Sequence, residues 1–320
     1  MTKIAIAGLG SIGRRHLKNL LALGEKDVVL YRSKLSTLPD HELKGFPVET
    51  NIDALLGHKP EAIIISNPTA LHLDIAIPAA EAGCHLFIEK PVSHSFERIS
   101  DLRAALERGG GKVLVGFHLR FHPTLRTAKN IIADGELGKI ISAHSHWGEY
   151  LPDWHPWEDY KKSYAANAEL GGGVVHTLCH PFDYLNWLLG KPELSWAHTG
   201  TKGELGISVE DTAEVALQFP NGAAGIVHLD YLQKPATHKL EIVGTKGTLK
   251  WSADDGVLSL YKHDDPKWIS FKPLEGFERN SMFVDEMRHF LSVVRSETSP
   301  VCTLDDGITA LEIALGVLLF

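Results

Sequence analysis

Apolar residues fall into two alternating rhythms between Ile4 and Gly116. Short, unbroken apolar runs at Ile4–Ala7, Asp27–Tyr31, Glu61–Ser66, His85–Ile88 and Lys112–Gly116 have the length and continuity of strands buried on both faces. Segments of helical period lie between them. One follows Gly13 with Leu17, Leu20, Leu21 and Leu23 on one side; a second covers 70–82 and stops at Gly83; a third covers 95–108 and stops at Gly109-Gly110-Gly111. Strands alternating with helices predict a parallel, doubly wound sheet.

Beyond about residue 120 the rhythm changes. A helix at 124–133 precedes a long strand at 140–149, an aromatic-rich loop at 150–173 and a helix at 174–189. From Glu193 onward strand-like runs dominate, including 212–219, 223–231, 238–243 and 248–251, and Pro220-Asn221-Gly222 reads as a hairpin turn. Two helices, 281–295 and 304–319, close the chain. The expected architecture is α/β: a dinucleotide-binding domain over 1–120, then an α+β domain over 121–320 built on a largely antiparallel, open sheet. The last helices are expected to pack back on the first domain.

Composition narrows the classes. The 320 residues suffice for two domains, and 44% hydrophobic with 22% charged residues is ordinary for a soluble globular protein. A net charge of −8 argues against bulk binding of nucleic acid or an anionic membrane. Cys84, Cys179 and Cys302 are far apart and odd in number, so no disulfide framework is expected. The first strand begins too early to leave room for a signal peptide, and no apolar run is long enough to span a bilayer. A cytoplasmic protein is the expectation. The final Leu318-Leu319-Phe320 lie inside an apolar helix face, which suggests that a polar tail follows.

Candidate chemistry starts at the first strand–helix junction, Gly8-x-Gly10-x-x-Gly13. A tight turn at Gly8, close backbone approach at Gly10 and close helix–strand packing at Gly13 would present a helix N-terminus to a pyrophosphate, as in a Rossmann fold. Gly8, Gly10, Ser11, Ile12 and Gly13 are therefore candidate cofactor contacts. The second strand ends Tyr31-Arg32-Ser33-Lys34 without the acid that would bond a ribose 2′-hydroxyl. Arg32 and Ser33 stand where a 2′-phosphate would arrive, which favours NADP over NAD. Two further motifs follow parallel strands at their carboxyl ends, where ligands sit in such sheets: Ser66-Asn67-Pro68-Thr69-x-x-His72 and Glu89-Lys90-Pro91. Asn67, Pro68, His72, Glu89 and Lys90 join the cofactor candidates. So does Arg120, at the exit of the last parallel strand.

Together with Gly171-Gly-Gly-Val-Val-His176-Thr-Leu-Cys-His180-Pro-Phe-Asp183, these motifs resemble the glucose–fructose oxidoreductase, inositol dehydrogenase and rhizopine-catabolism (Gfo/Idh/MocA) family along essentially the whole chain. The resemblance implies NAD(P)-dependent oxidation or reduction of sugars and polyols. It also implies an open second-domain sheet often used in oligomer contacts. Lys90 matches the family's catalytic lysine and His180 its catalytic histidine. Oxidising a secondary alcohol needs a base for the hydroxyl proton, suited to imidazole, and a cation beside the developing alkoxide, suited to ammonium.

Many members carry Asp where this chain has His176. On a continuous helix His176, His180, Asp183 and Trp187 would share one stripe, so His176 would share a substrate hydroxyl and Asp183 would orient His180. Pro181 makes that stripe approximate. His176 and His180 also have the spacing of a helical metal pair, with Cys179 between them and His144 and His146 elsewhere. A third ligand and an open position are wanting, and no metal is expected. On the substrate side, Trp154, Trp157 and Tyr160 in the long loop either stack on sugar rings or staple the loop to its domain. Lys161 and Lys162 either meet an anionic group or are solvated.

The expected function is hydride transfer between NADP, or NAD, and a ring carbon of a sugar, sugar derivative or cyclic polyol, in a homodimer or homotetramer built through the second sheet. The rivals are a redox-recycling glycosidase of the same family and a non-catalytic NADP(H)-binding accessory protein.

Overall fold

The computed structural model describes residues 2–32 and 43–320. The chain divides into two compact units, residues 1–117 with 280–307 and residues 118–279 with 308–320. Among the described residues no helix is long and apolar enough to cross a membrane.

The first unit holds a six-stranded sheet of β1 (Ile4–Ala7), β2 (Val28–Tyr31), β3 (Val48–Glu49), β4 (Ala62–Ile65), β5 (His85–Glu89) and β6 (Val113–Gly116). Its order is β3-β2-β1-β4-β5-β6 with every pairing parallel. The order reverses between β1 and β4, so the carboxyl ends of these two strands flank a switch-point crevice, the usual ligand position in open α/β sheets. Helices α1 (Ser11–Ala22), α2 (Ile52–Gly57), α3 (His72–Glu81) and α4 (Ile99–Gly109) form the connections. Strands β1, β4 and β6 are buried at every residue, which is why they read as continuous apolar runs rather than alternating ones. The sequence reading missed β3 and α2; each is too short to show a period, although Asn51 caps α2 by accepting from Asp53 and Ala54 N–H at 2.8 and 3.3 Å. Helix α8 (Arg279–Val294) adds to this unit from Asn280 onward. Phe290 packs on Phe87 of β5 with ring centroids 5.5 Å apart.

The second unit holds an eight-stranded sheet: β7 (Ile140–Gly148), β8 (Glu193–Gly200), β9 (Thr212–Gln218), β10 (Ala224–Asp230), β11 (Thr237–Gly244), β12 (Gly247–Ser252), β13 (Leu258–Lys262) and β14 (Trp268–Phe271). The order is β14-β13-β12-β11-β7-β10-β9-β8, antiparallel except for the β7–β10 pair. The hairpin at Asn221-Gly222 joins β9 to β10, with Gly222 at φ +84°. Along β7, β10 and β11 burial alternates. Ala143, Ser145, Trp147, Val227, Leu229, Leu240 and Ile242 face inward, on the side where α5 (Pro123–Ala133) and α7 (His180–Leu189) pack on the sheet. The other face is open and carries Trp196, Ile226 and Trp268, each more than 40% exposed.

The helix expected over 174–189 is two helices, α6 (Val174–Thr177) and α7. Leu178 breaks the path with ψ +35°. Pro181 lacks an N–H and its ring would clash with the carbonyl four residues back, so it suits the first turn of a new helix and not the interior of an old one. The shared stripe of His176, His180, Asp183 and Trp187 therefore does not form, since it needs one uninterrupted helix. The first two turns of α7 are instead buried on every side, from His180 through Leu185. The last helix, α9 (Leu304–Leu319), gives its first turn to the first unit and, from Ile308, the rest to the second.

Candidate active site

In the first unit the glycine-rich turn is wedged against the loop after β4. Gly8 has φ +92°, and a Cβ there would lie 2.3 Å from the Asn67 nitrogen. A Cβ on Gly13 would lie 2.0 Å from the Gly8 carbonyl oxygen, so α1 can approach β1 only with glycine at that position. Ser66 ties the two loops by donating its hydroxyl to the Ala7 and Gly8 carbonyls at 3.1 and 2.9 Å. Gly10 differs from its neighbours: a Cβ there would meet none of the described residues within 4 Å. It is the N-cap of α1, with no side-chain cap and no acid in the first turn, so Ser11, Ile12 and Gly13 present main-chain N–H groups that no side-chain cap or acid engages. Asn67 donates its amide to the Leu71 carbonyl at 2.9 Å, while its Oδ1 is buried without a hydrogen-bond partner among the described residues. Open space at Gly10, an uncapped helix N-terminus and an orphaned acceptor at the switch point fit a dinucleotide's pyrophosphate and ribose.

Two expected cofactor contacts, His72 and Glu89, have other work in this unit. His72 is 1% exposed and its ring nitrogens face the Val92 and Asn67 carbonyls at 3.3 and 2.9 Å. Burial pushes its pKa down, and the neutral ring has one N–H to donate, to the nearer Asn67 carbonyl. Glu89 accepts from His16 of α1 at 2.7 Å and from the Lys90 N–H at 3.2 Å. Burial alone would raise its pKa, yet the hydrogen bond and charge of His16, with Lys90, hold it below the ordinary value. Both side chains position the cradle from behind. Lys90 itself is half-buried and precedes a cis peptide to Pro91. Arg32 is only 8% exposed at the end of β2, with its N–H on the Glu49 carbonyl at 3.1 Å, so it is not a solvated loop residue. Ser33 lies outside the described residues.

In the second unit Arg120 grips Asp183. Arg120 Nε donates to both carboxylate oxygens at 3.1 and 3.0 Å and Nη2 to one at 2.7 Å, with side chains 2% and 0% exposed. Arg120, expected on the cofactor, thus holds the residue expected to orient His180. The pair anchors two segments that each carry an imidazole: His118 and His180 meet edge to face at 4.3 Å between ring centroids. Trp147 of β7 lies 5.5 Å from His180 on one side and stacks flat on His238 at 4.3 Å on the other. Tyr184 hydrogen-bonds Ser145 and, at 3.2 Å, His238 Nε2. Burial drives His238 down to about 3, with His122 and His146 adding to the effect, and drives the Tyr184 phenol up. His238 and Tyr184 are therefore both neutral at ordinary pH. His176 is 5% exposed on α6, whose first turn is capped by Glu210: Val174 N–H donates to its carbonyl and Val175 N–H to its Oε1, both at 3.1 Å.

Both parts of the chain match models of one family. Residues 2–117 match the oxidoreductase family with an NAD-binding Rossmann fold, and residues 125–250 match the GFO/IDH/MocA C-terminal domain. The chain belongs to the Gfo/Idh/MocA oxidoreductase family. Among relatives, scyllo-inositol 2-dehydrogenase (NAD(+)) of Bacillus subtilis is 27% identical, over 98% of this chain and 92% of the relative. Levoglucosan dehydrogenase of Pseudarthrobacter phenanthrenivorans is 30% identical over 58% of this chain and 53% of its own. A solved levoglucosan dehydrogenase in complex with NADH and levoglucosan shares the fold with a TM-score of 0.87 at 20% identity, over 99% of this chain and 96% of that one.

Within this family member the long loop separates its aromatics. Trp154 packs edge-on against Tyr231 at 5.5 Å, and the Tyr160 hydroxyl donates to the Leu205 carbonyl at 2.8 Å, so both staple the loop. Trp157 is 61% exposed beside His155. His118, Trp147, Tyr184 and His238 were not singled out from the sequence. They lie on four separate elements, and only the alternating burial along β7 marks Trp147 as inward-facing.

Proposed function

We propose that this oxidoreductase moves hydride between a nicotinamide, NADP in preference to NAD, and a ring carbon of a sugar, sugar derivative or cyclic polyol. The observation that carries the reading is the cradle at Gly8–Gly13, where a Cβ on Gly8 or Gly13 would run into main chain and one on Gly10 would meet none of the described residues. Gly8, Gly10, Ser11, Ile12 and Gly13 would hold the pyrophosphate, and Asn67 and Pro68 would border the ribose and nicotinamide. When bound, the nicotinamide supplies the hydride acceptor or donor. His180 takes the hydroxyl proton as the C–H bond is broken, and the Lys90 ammonium stabilises the developing alkoxide. His176 stands where many family members have an acid, so it holds a substrate hydroxyl without contributing a fixed negative charge. Trp157, the exposed aromatic of the loop, supplies a face for a sugar ring.

Support for the substrate class comes from relatives named for scyllo-inositol, levoglucosan and 1,5-anhydro-D-fructose, all ring polyols or their derivatives. Support for NADP comes from Arg32, buried at the end of β2 where the sequence has no acid. The half-apolar open face of the second sheet supports a homodimer or homotetramer.

The test is nicotinamide absorbance with NADP+ or NAD+ and a panel of hexoses, inositols, anhydrosugars, sugar acids and nucleotide sugars. A rise with one class, steeper with NADP+, and its loss in Lys90→Ala support the proposal; full turnover by Lys90→Ala sinks it. A redox-recycling reaction is the second reading, because two relatives, 28% and 27% identical, are named as 2,7-anhydro-N-acetylneuraminate hydratases. Glycoside cleavage or hydration with no net absorbance change would move the assignment there.

A further inference from the structure

On the open face of the second sheet, away from the side that carries Trp147 and His180, three strands bring polar side chains into one row. Register places His146 of β7 opposite His228 of β10, and His228 opposite Glu214 of β9. Asp230 follows two residues along β10 on the same face. Donor atoms of His146, His228 and Asp230 all lie within 4.8 Å of one another, the single such group of three among the described residues.

Each member is held in a way that suits a ligand. Asp230 Oδ1 is fixed by the Leu232 and Gln233 N–H groups at 2.7 and 2.6 Å, which turns Oδ2 toward His228 Nε2 at 2.9 Å. Glu214 accepts from His228 Nδ1 at 2.6 Å, the carboxylate partner that sets a ligating imidazole's tautomer and orientation. His146 Nε2 meets Gln233 Oε1 at 2.6 Å, so an amide oxygen stands beside the trio as a fourth donor. The last residue of β7 is Gly148, where a Cβ would sit 2.2 Å from Asp230 Oδ2 and 2.6 Å from Gln233 Oε1. Glycine leaves room there for the carboxylate and amide to converge.

We propose that His146, His228 and Asp230 form a structural site for a divalent transition ion of zinc type. Two imidazoles and a carboxylate are the donor set such ions take, with bonds of about 2.0–2.2 Å. Donors around a tetrahedral ion then stand about 3.3 Å apart. The His228–Asp230 pair is near that spacing already, and the half-buried His146 ring has only to turn from Gln233 toward them. The ion bridges the parallel strand pair of this sheet at the end where β7 enters the 149–173 loop and β10 enters the 231–236 turn. It fastens the roots of both loops.

Cobalt(II) titrated into tag-free full-length protein tests the site, read by visible absorbance and by thermal unfolding. The expected result is a d–d band that saturates at one ion per chain, a raised melting temperature, and displacement of the band by zinc. His146→Gln and His228→Gln should each weaken binding by at least about tenfold, and Glu214→Gln by about 10- to 100-fold. His144→Gln, on the same strand and face but outside the trio, should change nothing. His228→Gln also removes two ion pairs, so His146→Gln decides if that variant fails to fold. No band in the wild type, or a band indifferent to His146, overturns the proposal and leaves His228 as a hydrogen-bonded bridge between Glu214 and Asp230.

Discussion

Removing one partner of the Arg120–Asp183 pair should destabilise the second unit more than any exposed ion pair in the protein. Asp183→Asn keeps the shape but leaves a guanidinium that is 2% exposed facing a neutral amide. Of the three hydrogen bonds of 2.7 to 3.1 Å, at least one is lost because an NH2 donor replaces one accepting oxygen, and the rest lose the charge on their acceptor. Breaking a buried pair in this way costs about 3–5 kcal/mol, because the remaining charge has no water to return to. For a unit of this size about 2–4 °C is lost per kcal/mol, so calorimetry should show a melting temperature lower by roughly 6–20 °C. The double variant Arg120→Met with Asp183→Leu removes both charges and should lose much less than the sum of the single variants. Turnover should fall in Asp183→Asn, because the pair anchors the segments bearing His118 and His180, whereas cofactor affinity should hold. A loss under about 1 kcal/mol, typical of an exposed pair, would refute the reasoning.

The two inner glycines of the cradle should separate stability from binding. Gly13→Ala forces a Cβ to 2.0 Å from a carbonyl oxygen and should cost about 1–3 kcal/mol in denaturant melts, whereas Gly10→Ala, at the N-cap of α1, should cost no more than about 1 kcal/mol and weaken cofactor binding in fluorescence titration. Arg32→Ala should raise KM for NADP+ about 10- to 100-fold, as expected for a lost charge-assisted contact, and leave that for NAD+ near its starting value. Burial raises Glu210 from 4.5 to about 6, so the folded state holds its proton more tightly than the unfolded state; that contribution is complete below pH 4.5 and is lost as pH rises through about 6. Glu210→Gln, which mimics the protonated form and keeps an acceptor for Val175 N–H, should therefore gain up to about 2 kcal/mol over wild type above pH 6 and nothing below pH 4.5, read from urea melts across that range. Trp157→Ala should raise substrate KM with little change in melting temperature, since the ring is 61% exposed.

Much of the fold was legible because its information is local. Buried parallel strands must be apolar throughout, and helices beside them must show a 3.6-residue period, so the alternation along the first unit is written in consecutive residues. The glycine turn was legible for the same reason: a positive φ at Gly8 and a forbidden Cβ at Gly13 are demands on single positions. Short elements escaped. β3 and α2 have too few residues for a period, and the break between α6 and α7 was signalled only by Pro181. The membership of 280–307 in the first unit depends on Phe283 and Phe290 finding His16 and Phe87, a contact between residues distant in the chain.

Tertiary structure decided which polar side chains face one another. Glu89, His72 and Arg120 stand in motifs that suggest cofactor contact, yet their partners are His16, two main-chain carbonyls and Asp183. Nothing local to Arg120 encodes a carboxylate 63 positions away. The row of His146, His228 and Glu214 exists only because a parallel pairing of β7 with β10 sets that register, and a slip of one residue would turn His228 to the buried face. By itself the sequence determined the elements, the glycine cradle and the candidate residue types, because backbone sterics and burial act on neighbours along the chain. Pairing, charge compensation and convergence of ligands came from the folded sheet, because those forces act through space and depend on which strands lie side by side.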